Sequence, residues 1–116
     1  MAHPSDDPQR DIIIQSGSTF TMVVTWTGNV SGQSFAMKGR PSHNSNTVVF
    51  ELSTLEGDIS ATHSGGETTI TVTMAATVTA GFAAPQYGVY DLEGTTGGVT
   101  TRFAEGTFYI TPNATR

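Results

Sequence analysis

Apolar and polar residues alternate with a period of two along most of this chain, and Gly, Pro, Asn and Ser interrupt the alternation at short intervals. That pattern predicts half-buried β-strands joined by turns. Residues 19–27 place Phe20, Met22, Val24 and Trp26 on one face and Thr21, Val23, Thr25 and Thr27 on the other. Trp26 is expected to be the largest buried group of that strand. Residues 34–40 alternate in the same way, with Phe35, Met37 and Gly39 against Ala36, Lys38 and Arg40. A strand over 47–53 is expected to turn Val48, Phe50 and Leu52 inward and Val49 and Glu51 outward. Residues 68–74 bury Ile70, Val72 and Met74, and residues 11–15 form a short strand before Ser16-Gly17.

Residues 86–110 carry the strongest pairing signal. Two alternating runs flank a Gly/Thr turn, which predicts an antiparallel hairpin. With Tyr90, Leu92 and Phe103 inward, Arg102 must face outward opposite Asp91 or Glu93, a charge pair that helps fix register. The apolar parity changes after Glu105, because Phe108 and Ile110 become the inward residues. A one-residue bulge at Gly106 is the expected remedy.

Other stretches pattern poorly. Residues 55–66 read as an irregular connection with Ile59 tucked in. Residues 75–84 have a helical flavour: Thr77 or Thr79 is expected to cap one turn within 77–83, and Pro85 to stop it. Residues 1–10 are expected to form an extended arm, which reaches about 33 Å if stretched; residues 11–111 form one β-domain and residues 112–116 a polar tail. The sum is an all-β domain of seven or eight strands, a sandwich or a barrel.

Composition sharpens this picture. Charged residues make up only 13% of the 116 positions, and Thr, Ser and Gly fill the gap. Threonine suits the solvated face of a strand. The net charge is −5, and the five basic residues, Arg10, Lys38, Arg40, Arg102 and Arg116, do not cluster. Neither nucleic acid nor an anionic membrane is therefore an expected partner. No cysteine is present, so disulfides and thiolate metal sites are excluded.

The chain offers little patterned chemistry. His3, His43 and His63 fall in separate arm, loop or turn segments without zinc-motif spacing and read as solvated. His3 with Asp6 and Asp7 is at most a weak cation trap. Asp91 and Glu93, two positions apart beside Arg102, read as a charge ladder rather than an acid–base pair. No serine sits in a nucleophile turn, and Gly65-Gly66 and Gly97-Gly98 lack the lysine of a phosphate loop. The triplets Asn29-Val30-Ser31 and Asn113-Ala114-Thr115 match the glycosylation pattern. Among Trp26, Tyr87, Tyr90 and Tyr109, parity buries Trp26 and Tyr90 and exposes Tyr109. No catalytic, cofactor-binding or metal-binding residue is assigned.

The order of pieces resembles a known class. D-I-x-I-x-x-G-x-T-F over residues 11–20, a strand bearing Trp26, Y-D-L-E over 90–93 and T-R-F-x-x-G-x-F-x-I over 101–110 are similar to the N-terminal domain of bacteriophage baseplate upper proteins and related tail proteins. The resemblance implies an immunoglobulin-like antiparallel β-sandwich and a virion component held by protein–protein contacts. It implies other virion proteins as partners and a symmetric homo-oligomer, joined through the arm and exposed strand edges. It carries over no catalytic residue and no cofactor. No receptor-binding segment follows Arg116 in this sequence, so host recognition is not expected of it.

Overall fold

A computed structural model describes residues 11–112. The expected arm over 1–10 lies outside the described residues, as do all but Pro112 of the expected tail. Eight strands and one short helix are described: β1 (Ile12–Gln15), β2 (Phe20–Thr27), β3 (Ser34–Arg40), β4 (Phe50–Ser53), β5 (Ile59–Ser64), β6 (Glu67–Met74), α1 (Ala76–Thr79), β7 (Gln86–Thr96) and β8 (Val99–Thr111). They form a five-stranded sheet, ordered β1-β8-β7-β3-β4, and a three-stranded sheet, ordered β2-β6-β5. The fold is therefore all-β, as the alternation predicts.

Every pairing is antiparallel except one: β1 runs parallel to β8, with Ile12 opposite Phe108 and Gln15 opposite Thr111. Two hairpins turn on glycine pairs. Gly65-Gly66 joins β5 to β6, and Gly97-Gly98 joins β7 to β8. All four have positive φ, as a two-residue turn matched to strand twist requires.

The inward residues of both sheets meet in one core. Ile14, Met37, Leu92, Phe103, Phe108 and Ile110 come from the larger sheet, and Met22, Val24, Ile70, Val72 and Met74 from the smaller. Trp26 on β2 sets its ring edge-on to Phe103 on β8, 4.7 Å between centroids, and ties the two sheets together. Trp26 is half-buried at the margin of the core rather than within it.

Four further expectations need correction. The hairpin bulge is not at Gly106: the register slips where Leu92 faces Ala104 and Glu93 faces Arg102, leaving Phe103 as the extra residue. Phe103 and Ala104 are both buried in consequence. Residues 59–64 are a regular strand, not an irregular link. Only Ile59 of β5 is fully buried, so the segment gives almost no apolar signal of its own. Val48 is exposed and Val49 packs on the core, because β4 begins only at Phe50. The amide of Val49 is held by the Gly39 carbonyl at 2.7 Å. Finally, α1 has no threonine cap; Ala75 occupies that position without a side-chain bond, and Thr79 is fully buried.

Two buried threonines fasten the loops to this frame. Thr79 Oγ1 donates to the Ser18 carbonyl at 2.8 Å and accepts from Gly17 N at 3.1 Å, locking the β1–β2 turn onto α1. Thr68 Oγ1 donates to the Gly28 carbonyl at 2.7 Å and accepts from Val30 N at 3.0 Å, pinning the β2–β3 loop.

Candidate functional site

The outer face of the five-stranded sheet gathers most of the side chains that the sequence marks as chemically interesting. Strand alternation sends Asp91 and Glu93 outward from β7, Lys38 and Arg40 from β3, and Arg102 and Glu105 from β8. The Arg102 guanidinium lies 3.7 Å from Asp91 Oδ2, 3.6 Å from Glu93 Oε2 and 2.9 Å from Glu105 Oε1. Lys38 lies 3.7 Å from Glu51. The expected pairing of Arg102 with Asp91 or Glu93 is thus present with both, and Glu105 is a third partner. Partial burial pulls the Arg102 pKa down, but Asp91, Glu105 and Glu93 outweigh it and leave the group above its ordinary value. Three carboxylates thus surround one cation.

Beside the ladder is a shallow depression of about 230 Å³, lined by Lys38, Arg40, His43, Asp91, Arg102 and Glu105 among others. His43 is solvent-exposed, as expected, and leans in from the loop after β3. Arg40 differs from its neighbours. Its Nε is shielded from solvent without a hydrogen-bond partner, and among the described residues it makes no ion pair.

Next to Arg40 along the sheet is a row that sequence reading did not assemble. Ile13 on β1 faces Tyr109 on β8, which faces Tyr87 on β7. The two tyrosine rings stack with centroids 4.4 Å apart and planes 23° from parallel. Tyr87 is 72% exposed and Ile13 62% exposed. Arg40 faces Val89, two residues along β7 from Tyr87, which puts its Cα diagonal to that of Tyr87, roughly 7–8 Å away. Parity buried Tyr90 correctly. It named Tyr109 as the exposed tyrosine, whereas Tyr109 is half-covered by the stack and Tyr87 shows more surface. The missed signal was legible: Tyr87 shares parity with Val89 and Asp91, and Ile13 must point away from the core if Ile12 and Ile14 point in.

His63 is exposed on β5, and His3, Asp6 and Asp7 lie outside the described residues. Among the described residues no three His, Asp or Glu side chains converge as metal ligands. No helix there is long and apolar enough to cross a membrane. Asn29 of the first glycosylation triplet accepts from both Ser31 N and Ser31 Oγ, at 3.1 and 2.8 Å, in a local turn.

Neither a protein-family model nor a curated protein matches this chain.

Proposed function

We propose that the chain is a non-enzymatic structural protein of a bacteriophage virion. In this reading it is an immunoglobulin-like sandwich acting as an adaptor in the tail, the baseplate or the attachment of a fibre. The observation that carries the reading is the outer sheet face, where stacked tyrosines, an exposed isoleucine and an arginine with no ion-pair partner among the described residues share one side of regular strands. Tyrosine and arginine are the residues that concentrate binding energy at protein interfaces. A rigid strand face suits subunit joining, because little ordering entropy is lost on contact. The motif resemblance over residues 11–110 supports the same assignment.

Quantitative mass spectrometry of washed, purified particles tests it. An adaptor gives roughly a few dozen copies per particle at most, in keeping with ring symmetry. Copies in the hundreds reassign the chain to capsid decoration. Absence from the particles overturns both.

One observation favours a second reading, a carbohydrate-binding module. The Tyr87–Tyr109 stack leaves one tyrosine face open beside polar groups, a geometry on which a sugar ring can pack. Binding on a glycan array that is lost in Tyr87→Ala supports this reading; an array without binding removes it.

A further inference from the structure

The turn between β4 and β5 is built, not slack. Gly57 N donates to the Thr54 carbonyl at 3.0 Å, closing a four-residue turn, and Gly57 takes a φ of +84° to do so. Glu56 N donates to Ser53 Oγ at 3.1 Å, and Asp58 N to the Ser53 carbonyl at 3.1 Å. Thr54 is stitched to β3 from both sides: its amide donates to the Phe35 carbonyl at 3.0 Å, and its Oγ1 accepts from Phe35 N at 2.9 Å. At the crown of this fixed turn stand Leu55 and Glu56. Leu55 is 92% exposed, the highest value among the large apolar residues described. A leucine held rigidly into water contributes nothing to the core, and the bonds beneath it preserve its presentation.

The crown and the aromatic row complement each other. Leu55 and Glu56 offer an apolar tip beside a carboxylate. Ile13, Tyr109 and Tyr87 offer an apolar seat near Arg40, which has no ion-pair partner among the described residues, and near the imidazole of His43. Lys38 and Arg102 on this face are each paired with carboxylates, whereas Arg40 makes no ion pair among the described residues. We infer that the crown of one molecule docks on the outer sheet face of a second copy, with Leu55 seated on the Tyr87–Tyr109–Ile13 row and Glu56 against Arg40. This deepens the subunit-joining reading, and rests on it only in requiring more than one copy in an assembly.

The two halves of the contact lie far apart on one molecule. Phe35, to which the crown is stitched, faces Gly94 on β7, seven residues from Tyr87, a separation of roughly 24 Å along the strand. A molecule does not satisfy its own seat. The contact is head-to-tail and repeats from copy to copy, giving a ring where the rotation closes and a filament where it does not.

Sedimentation of the whole chain at low ionic strength, up to about 1 mM, reads the contact in the affinity range expected of a small interface. The expected result is concentration-dependent association that continues past the dimer. Leu55→Asp and Arg40→Glu each weaken it by about tenfold or more. Arg40→Glu combined with Glu56→Arg restores a large part of the loss. Leu55→Asp and Tyr87→Ala, mixed, form a heterodimer and stop there, because only one intact knob and seat remain between them. Val99→Ser, at the exposed β7–β8 tip, leaves association unchanged. Unaltered melting of each variant verifies the fold. A wild-type chain still monomeric at about 1 mM overturns the inference, as does association that Leu55→Asp leaves intact. Particle copy number separates this failure from that of the virion assignment. A chain found in particles but monomeric alone removes the knob and seat only; a chain that associates head-to-tail but is absent from particles removes the virion assignment only.

Discussion

Gly39, Gly88 and Gly94 each lie beneath a phenylalanine ring on the core side of the larger sheet. Phe50 covers Gly39, Phe108 covers Gly88 and Phe103 covers Gly94. The first two are direct cross-strand partners. A bulky ring beside a missing side chain fills a layer that two bulky residues would overfill. At Gly88 an added Cβ would meet not only the Phe108 ring but also the Arg40 carbonyl, which belongs to backbone and has nowhere to move. Gly88→Ala is therefore expected to cost about 1–3 kcal/mol in urea unfolding. Thr79 makes a different case. Replacing it with Val keeps the volume but leaves Gly17 N and the Ser18 carbonyl without their shared hydroxyl. Thr79→Val should lose about 1–3 kcal/mol, and Thr79→Ser distinctly less. Neither effect was legible beforehand. A glycine in an alternating run looks like a weak strand position, and Thr79 reads as a helix cap, whereas its buried hydroxyl bonds backward to the turn between β1 and β2.

Alternation located the elements well where a strand has one wet face. It gave β3 without error and β2, β6 and both arms of the hairpin to within a residue or so. It failed where the period is locally broken or muted. β5 is an edge strand with one buried aliphatic residue, so polarity hid it. The change of parity in β8 was read correctly but placed at Gly106, because glycine tolerates a bulge; the bulge instead sits where Phe103 is needed to meet Trp26. The charge ladder was half legible: parity paired Arg102 with the β7 carboxylates, while Glu105 enters only because the bulge realigns β8. Arg102→Ala should cost only about 0.5–1 kcal/mol, since the group is half-exposed and each pair is partly screened by solvent. Raising NaCl to about 0.5 M should erase most of the difference between wild type and variant. The sign of the linkage follows from a pKa held above the ordinary arginine value. The contribution linked to this group is present at neutral pH and is lost in strong base, as pH rises through the folded-state value.

At the scale of the molecule, the fold is held mainly by contacts between residues distant in sequence. Ile14 is one of them: it is fully buried, sits on a four-residue strand, and faces Ile110 near the other end of the described chain. Ile14→Ala is expected to cost about 2–4 kcal/mol, measured as the shift in denaturant midpoint. The parallel pairing of β1 with β8 also has a mechanical consequence. Because both strands point the same way, tension drawn between Asp11 and Pro112 slides one past the other and loads all their rungs together. Tension drawn between Gln86 and Ile110, at the open end of the β7–β8 hairpin, would instead open its rungs one after another, like a zipper. Single-molecule pulling along the first axis should therefore meet the higher rupture force.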